Sequence, residues 1–366
     1  MHVGMTAIFQ GYGGQLSDRD VWKTDLALAD LAEPLGFESI WGVEHHFTNY
    51  TMSPDVLQFL TYMAGRTTTV KLGSMVLVLP WHDTVRAAEQ ILLLDHMSDG
   101  RFILGLGRGT GKCEFDGLRV SMATARERFG EQAEALMTAL ETGVMEYDGQ
   151  FVQQPRVELR PGPFKSFRNR IYSATVSPES AEIMAKLGTG VLIIPQKPHN
   201  LVRDDVETYR RTYVEAIGAE PPAPILSAWV YIDEDEKRAR QRGRKFLQDY
   251  WDSVVAHYEF DKPHLKSTPG YEFHGQMYDR LTKPGGAQEM ADFYAELHPY
   301  GTPDQVLEKI TEFADLIGAD GFLGVFRYGA MTREDGERNM RLFAETVMPE
   351  LKKIAPASER LAASAA

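Results

Sequence analysis

Hydrophobic residues along this chain form two kinds of pattern, which alternate from one end to the other. Short continuous apolar runs are typical of strands buried on both faces of a parallel sheet, and apolar residues at every third or fourth position are typical of helices that cover such a sheet. Strands are predicted at Val3–Phe9, Ser39–Val43, Val70–Leu79, Phe102–Leu106, Arg170–Thr175, Gly190–Ile194, Ile225–Ile232 and Asp320–Phe326. Helices are predicted at Asp18–Leu35, Pro54–Thr67, Thr84–Met97, Arg119–Glu141, from Ser177 onward, and at Asp204–Ile217, Asp233–Phe260 and Asp335–Ile354.

This alternation of strand and helix predicts an α/β protein with a (β/α)8 barrel, also called a TIM barrel. We expect a single domain over residues 1–355 and a disordered Ala/Ser-rich tail over 356–366. A two-domain doubly wound protein is the alternative, but no Pro/Gly/Ser-rich linker divides the chain.

Two segments interrupt the alternation. Met145–Leu159 has the pattern of an inserted hairpin that turns at Asp148–Gly149. Asp261–Gly286 contains several Pro/Gly turn signals and no clear period. Because a structureless loop this long is unusual inside a compact domain, we interpret it as a lid loop after the seventh strand, with a disordered segment as the alternative.

Composition and charge narrow the class of protein. The chain has 366 residues, 43% of them hydrophobic, and a net charge of −13 from 39 basic and 52 acidic residues. Such an acidic surface disfavours nucleic acid as a partner. Cys113 is the single cysteine, so no intramolecular disulfide can form, and no segment resembles a signal peptide or a membrane span. We therefore expect a cytoplasmic protein without a membrane or nucleic-acid partner.

The sequence Glu44-His45-His46-Phe47 directly follows the predicted second strand. Active sites of parallel barrels lie at the carboxyl ends of the strands, and an imidazole beside a carboxylate suits proton transfer near neutral pH. His45 is therefore the candidate catalytic residue, with a structural hydrogen-bonding role as the alternative. Neighbouring residues of a strand point to opposite faces, so the two histidines cannot easily share an ion, and no metal site is predicted.

Two further strand ends are candidate anion sites. The glycine-rich run Gly105–Gly111 follows the fourth strand and contains Arg108, while Arg126 lies on the next helix. The run does not match the dinucleotide-binding fingerprint, and a flexible turn is its alternative interpretation. Thr175–Ser180 joins the fifth strand to a helix, where free N–H groups and the helix dipole favour a phosphate; an ordinary helix cap is the alternative.

Several motifs occur in an order that matches a known family. They are Glu44–Phe47, Leu72–Pro80, Leu94–Phe102, Gly107–Gly109, Arg126–Phe129, Ser177–Ser180 and Gly301–Pro303. Each is weak alone, but the ordered set spans most of the chain and resembles the bacterial luciferase-like flavin-dependent monooxygenases. The resemblance implies a (β/α)8 barrel that binds FMN across the carboxyl ends of its strands.

The resemblance also implies roles for individual residues. The cofactor-binding set consists of Met75 and Val76, joined by a non-proline cis peptide beneath the flavin, and of the phosphate-holding residues Arg108, Arg126, Thr175, Val176, Ser177 and Ser180. His45 matches the histidine beside the flavin. The lid segment would close through Lys266 or Lys283.

This chain departs from luciferase at two places. Gly107 stands where luciferase has a cysteine near the flavin, and Thr175-Val176 stand where its phosphate turn has Glu-Ser. Backbone N–H groups can still bind a phosphate there, but the side-chain contacts of luciferase do not transfer.

The activity implied by the resemblance is that of a two-component monooxygenase. Reduced FMN (FMNH2) and O2 would oxygenate a small organic substrate through a flavin hydroperoxide, and a separate NAD(P)H:flavin reductase would supply the reduced flavin. The predicted substrate pocket at the strand ends comprises Glu44 and the aromatic residues Phe9, Tyr12, Trp41, Phe47, Trp81, Phe326 and Tyr328, each equally suited to the core. A homodimer is expected by analogy. A deazaflavin-dependent oxidoreductase of the same superfamily and a non-catalytic flavin-binding protein are the alternatives.

Overall fold

Eight parallel strands close into a barrel in the computed structural model, which describes residues 1–175, 178–357 and 359–360. The strands are β1 His2–Ala7, β2 Ser39–Gly42, β3 Lys71–Ser74, β4 Phe102–Gly107, β5 Ile171–Thr175, β6 Gly190–Ile193, β7 Ile225–Trp229 and β8 Gly321–Val325. Each strand pairs with the next, and β8 pairs with β1 through partners such as Phe322 and Val3. The predicted (β/α)8 barrel is confirmed.

Helices of the barrel follow the strands in the predicted alternation. They are α1 Asp18–Asp30, α2 Val56–Ala64, α3 Thr84–Met97, α4 Ala125–Thr142, α5 Pro178–Leu187, α6 His199–Ile217, α7 Pro303–Ile317 and α8 Arg333–Thr346. The sequence prediction missed α7, although Thr302 and Gln305 form a capping box at its start. The predicted helix Asp335–Ile354 is divided at Val347, after which Met348–Lys353 forms a separate short helix.

The predicted helix Arg119–Glu141 begins later than expected. Arg119 has a left-handed backbone conformation and ends a short, unpredicted helix at Lys112–Leu118, and α4 starts at Ala125. The inserted hairpin is confirmed, with antiparallel strands at Val144–Asp148 and Gln153–Glu158.

The predicted helix Asp233–Phe260 after β7 is observed as Glu236–Tyr258. The next segment, predicted as the lid loop Asp261–Gly286, contains a short 3-10 turn and the helix Glu272–Thr282, and a further helix follows at Gly286–Leu297. Gly275 lowers the helix propensity of its segment, but a β-carbon there would lie 2.7 Å from the Lys266 backbone, so close packing requires glycine. Tertiary packing, which local periodicity does not report, therefore decided the conformation of the predicted lid.

Neighbouring residues of the barrel strands belong to two different apolar clusters. Ile40 and Phe322 belong to the cluster between the strands and the surrounding helices, and their neighbours Trp41 and Leu323 belong to a second cluster inside the barrel. The second cluster continues into the three helices inserted after β7. Because those helices pack on the residues at the strand ends, they form a roof over one mouth of the barrel.

The segment that begins at residue 356 starts with packed residues. Ala357 is buried, and the Arg360 guanidinium donates to the Ala319 carbonyl oxygen at 2.9 Å. Residues 361–366 lie outside the described residues, and the division into a domain and a disordered tail stays a prediction. Within the described ranges, no helix combines the length and apolar character needed to cross a membrane.

Replacing Gly105 with Ala tests how closely β3 and β4 pack. A β-carbon on Gly105 would overlap the Ser74 carbonyl oxygen. We expect the free energy of unfolding, measured by urea denaturation, to fall by about 1–3 kcal/mol. Gly130→Ala is the matched control, because a β-carbon at that position on α4 would meet nothing within 4 Å. We expect this substitution to raise the free energy of unfolding by about 0.5–1 kcal/mol. Equal effects of the two substitutions would contradict the close packing.

Candidate active site

A cavity of about 230 Å³ lies at the carboxyl ends of the barrel strands. Six consecutive strands contribute residues at or just past their ends: Val43, Met75, Gly107, Ala174, Ile194 and Trp229. The inserted helices close the cavity from above through residues such as Tyr250 and Met277. Parallel barrels carry their active sites at this mouth, so the cavity is the candidate active site.

His45 lines this cavity and is held by a buried carboxylate. Its Nδ1 lies 3.0 Å from Glu114 Oε1, and the same oxygen accepts the backbone N–H of His46 at 2.8 Å. Glu114 Oε2 lies 3.4 Å from His257 Nε2, and His257 Nδ1 lies 2.7 Å from Thr48 Oγ1. Glu114 therefore joins two imidazoles from distant segments, and His45 keeps only its Nε2 for other partners.

The two imidazoles determine the charge of Glu114. Burial alone would raise the pKa of this carboxyl group, but electrostatic attraction to His45 and the interaction with His257 lower the pKa to about 2. Burial lowers the pKa of His257, against the pull of the Glu114 carboxylate. The site therefore holds a buried anion directly behind His45 at neutral pH.

Glu44 makes a second buried carboxylate–imidazole unit. Its Oε1 lies 2.6 Å from His82 Nε2 and 3.4 Å from His46 Nε2, and its Oε2 accepts the backbone N–H of Val78 at 2.7 Å. Burial opposes the charge on Glu44 and on His82, but hydrogen bonds with His46 and His82 lower the pKa of Glu44, and the bond with Glu44 raises the pKa of His82. The two adjacent imidazoles therefore contact different carboxylates, His46 that of Glu44 and His45 that of Glu114.

The structure groups His45 with Glu114 and His257 and not with His46. One ligand atom from each of these three lies within 4.8 Å of the others, a set that could hold a cation. Within the described residues, Glu114 Oε1 accepts from the His45 imidazole and from the His46 backbone N–H, whereas Glu114 Oε2 and His257 Nε2, 3.4 Å apart, have no hydrogen-bond partner. The predicted absence of a metal stays a prediction.

One end of the cavity presents two guanidinium groups. Arg108 and Arg126 both line the cavity, and the Arg108 guanidinium lies 4.0 Å from the centroid of the Tyr271 ring. Within the described residues, Arg108 makes no ion pair, and Arg126 Nε is buried without an acceptor. Arg126 Nη2 contacts the exposed Glu179 at 2.8 Å and the Gly270 carbonyl oxygen at 3.2 Å. Burial lowers the pKa of Arg108, which an anionic ligand would oppose. This end fits a phosphate.

Of the other predicted cofactor residues, Met75, Val76 and Ser180 line the cavity. The peptide bond between Met75 and Val76 is cis, as the resemblance implied. Thr175 is buried at the end of β5 and lines a smaller neighbouring space of about 10 Å³. Val176 and Ser177 lie outside the described residues.

Most of the aromatic residues predicted for the pocket belong elsewhere. Phe9 stacks on Trp22 with ring centroids 4.0 Å apart, Phe326 packs on Phe343, and both belong to the outer core. Four other predicted aromatic residues also lie outside the cavity lining. Trp41 and Tyr328 are buried, the Tyr12 hydroxyl donates to Asp249, and Phe47 is 63% exposed. These assignments were wrong because strand-end position alone does not show which way a side chain points.

Glu44 and Trp81 do line the cavity. Lys266 and Lys283 do not, because each lies on the surface in an ion pair, with Asp279 and Glu289 respectively. The predicted closing contacts are replaced by Tyr271, whose hydroxyl donates to the Gly109 carbonyl oxygen at 2.9 Å. The inserted segment is therefore fastened to the glycine-rich loop by a tyrosine.

Sequence reasoning missed Glu114, His257 and the aromatic residues of the inserted helices. An acidic residue just after the glycine-rich run was a signal for Glu114. His257 carried none, since it lies on a charged helix more than 140 residues further along the chain and meets Glu114 only in the folded protein.

Comparisons with known proteins show the family of this chain. A family model described as luciferase-like monooxygenase matches residues 1–320. The alkanal monooxygenase alpha chain of Photorhabdus luminescens is 28% identical over 343 residues, 93% of this chain and 94% of that protein.

Two solved structures share the fold. Monooxygenase RslO1 from Streptomyces bottropensis has a TM-score of 0.80 and 28% identity, over 96% of this chain and 99% of that one. A type II Baeyer-Villiger monooxygenase from Pseudomonas putida in complex with FMN has a TM-score of 0.72 and 18% identity, over 97% and 99% of the two chains. Since the family model covers most of the chain, this protein belongs to the luciferase-like monooxygenase family.

Proposed function

We propose that this protein is an enzyme that uses reduced FMN and O2 to oxygenate a small organic molecule, with the reduced flavin supplied by a separate NAD(P)H:flavin reductase. The observation that carries the proposal is the pair Arg108 and Arg126 at one end of a largely apolar cavity. Within the described residues, the half-buried Arg108 makes no ion pair, and Arg126 pairs with the exposed Glu179 and leaves its Nε without an acceptor. A ligand anion would offset the cost of these donors, and a phosphate matches the fork of donors of a guanidinium. Reduced FMN, when bound, supplies the electrons that activate O2.

Met75 and Val76 would lie against the flavin ring, and Arg108, Arg126 and Ser180 would hold its phosphate, together with the Thr175–Ser177 turn. The first five of these named side chains line one continuous cavity, which supports the assignment. Gly107 contributes by lacking a side chain, since a β-carbon there would overlap Val76. These roles remain proposals about how the cavity is used.

His45 would hold and move a proton at the substrate. Glu114 accepts from Nδ1, which leaves Nε2, 3.4 Å from the Tyr258 hydroxyl, as the atom that exchanges a proton. The carboxylate also fixes the orientation of the imidazole ring, so that Nε2 is held at the cavity. Glu114 therefore acts as the positioning residue for His45.

Exclusion of water is the second task of the chain. Tyr271 and the helix Glu272–Thr282 cover the arginine end of the cavity, fastened by the contact of Tyr271 with Gly109. A closed, apolar site protects reactive oxygen species from water and strengthens each hydrogen bond inside it. A cytoplasmic location and a homodimer belong to the same proposal.

Replacing Arg108 with Met tests the phosphate site. We expect the dissociation constant for FMN, measured by quenching of flavin fluorescence, to rise about 10-fold, because one charged hydrogen-bonding partner of the phosphate is lost. Riboflavin, which lacks the phosphate, should bind both proteins alike. Arg86→Met is the control, since Arg86 is exposed on α3 and pairs with Glu89. An equal loss of riboflavin affinity would contradict the assignment.

The reaction itself is tested with 18O2, FMN, NADH and a flavin reductase. The proposal expects one labelled oxygen atom in the product and no turnover when the reductase is omitted. Tight binding of a deazaflavin with no affinity for FMN would instead indicate a hydride-transferring oxidoreductase. Binding of FMN without O2 consumption on any substrate tried would indicate a non-catalytic flavin-binding protein.

A further inference from the structure

One side of the cavity is built almost entirely of aromatic rings. We call it the aromatic wall, and its members, all lining the cavity, are Tyr50, Trp229, Tyr250, Trp251, Tyr258 and Tyr294. Trp229 ends β7, Tyr50 follows β2, and the other four lie on the inserted helices Glu236–Tyr258 and Gly286–Leu297. The wall is therefore largely a product of the insertion after β7.

The rings of the wall form one connected set. Tyr250 lies 4.5 Å from Trp229 and 6.1 Å from Tyr294, and Tyr294 stacks on Trp251 at 4.9 Å with an interplanar angle of 28°. Tyr50 meets Tyr250 at 5.8 Å and Tyr258 at 5.5 Å. Such a surface presents ring faces and edges to a ligand, and a planar aromatic ligand gains stacking energy there that an alkyl chain does not.

The wall also contains hydrogen-bond donors without acceptors. Trp229 and Trp251 are each only 5% exposed. Within the described residues, the Nε1 atom of each is buried and has no hydrogen-bond partner. The Tyr50 and Tyr250 hydroxyls are 2.6 Å apart and satisfy each other. A buried donor without an acceptor is costly, so a ligand oxygen placed near Trp229 or Trp251 would be favoured.

Charge excludes two other kinds of occupant. The wall has no ionised side chain. Burial raises the pKa of Tyr50 to about 12 and raises the pKa values of Tyr250 and Tyr258 well above the usual tyrosine value. A carboxylate would find no cation in the wall. A quaternary ammonium ion would find ring faces, but it could not accept from the indole N–H groups.

We propose that the aromatic wall binds a neutral, planar aromatic substrate that carries a carbonyl or phenolic oxygen, and that this oxygen accepts from Trp229. The inference rests on the proposed function, since it names the substrate class of the same site. Specificity follows from the donors: a site built to hydrogen-bond an oxygen binds an analogue that lacks the oxygen less well.

Binding to the FMN-loaded protein tests this without turnover. Isothermal titration would compare 2-acetylnaphthalene with 2-ethylnaphthalene, which has the same rings and no oxygen, and with decanal and tetraethylammonium. We expect 2-acetylnaphthalene to bind most tightly. Trp229→Phe keeps a ring and removes the donor, and we expect it to weaken 2-acetylnaphthalene about 3- to 10-fold and to leave 2-ethylnaphthalene unchanged.

Trp22→Phe is the matched control, because Trp22 donates to the Met52 carbonyl oxygen outside the cavity. Tighter binding of decanal or tetraethylammonium, or equal weakening of both naphthalenes in Trp229→Phe, would overturn the proposal. So would loss of 2-acetylnaphthalene binding on saturation with FMN, since the wall would then belong to the flavin. Failure of FMN to bind would count against the proposed function alone, because the same titrations on the flavin-free protein still test the wall.

Discussion

Replacing His45 with Ala should lower product formation by about 10²- to 10⁴-fold, the range typical of losing a positioned general acid or base. The imidazole lines the cavity, and Glu114 holds its Nδ1, so the variant loses the group whose Nε2, 3.4 Å from the Tyr258 hydroxyl, exchanges a proton there in the proposed reaction. We expect the dissociation constant for FMN to change by less than about threefold, because the two arginines lie on other elements. Product yield and flavin fluorescence measure the two effects.

His96→Ala is the control for this substitution. His96 is exposed on α3, and its Nε2 contacts the Gly162 carbonyl oxygen away from the cavity. It should leave turnover and FMN affinity unchanged. If His45→Ala turns over like the unmodified enzyme, His45 moves no proton in the reaction. If it loses FMN affinity to the same extent as activity, its role lies in the architecture of the site.

Replacing Glu114 with Gln should lower turnover by about 10²-fold and also destabilise the fold. The amide keeps the size of the side chain but removes the negative charge between His45 and His257. His45 then loses the acceptor that fixes its Nδ1–H orientation, so turnover should fall while the dissociation constant for FMN changes by less than about threefold. Loss of FMN affinity in step with turnover would instead indicate a purely structural role.

Stability gives an independent measure of the same charge. The folded pKa of Glu114 is about 2, below the usual value of 4.5, so its ionised form stabilises the folded state. The contribution, of the order of 3 kcal/mol, is complete above pH 4.5 and is lost as the pH falls towards 2. Urea denaturation should therefore show a difference between the unmodified protein and Glu114→Gln that is largest at neutral pH and shrinks in acid.

Glu127→Gln is the matched control, since Glu127 is exposed on α4. Its effect on the unfolding free energy should stay within about 0.5 kcal/mol at every pH. A pH-independent loss in Glu114→Gln would show that packing of the amide, and not the missing charge, destabilises the fold.

Much of the architecture could be predicted from the local pattern of hydrophobic residues. The apolar runs that became the strands and the periodic segments between them were visible without any tertiary information, and the boundaries of α3, Thr84–Met97, were predicted as observed. The same reasoning put His45 and Arg108 just beyond strand ends and Arg126 on the following helix, and all three line the cavity. A parallel barrel brings strand ends together, so position along the chain was enough to place these residues at one mouth.

Side-chain direction and distant partners were decided only by the tertiary structure. Phe9 and Trp41 also lie at or near strand ends, yet they point into the two cores, because a shift of one residue along a strand reverses the face. Glu114 and His257 acquire their roles from each other, across 143 positions, and the aromatic wall joins Tyr50 and Trp229 to residues of the helices Glu236–Tyr258 and Gly286–Leu297 only in the folded protein. The sequence by itself therefore determined the barrel and the residues at its mouth. Only the tertiary structure decided which of these residues face the cavity and which partners hold them. Both properties depend on contacts between distant segments, which no local pattern encodes.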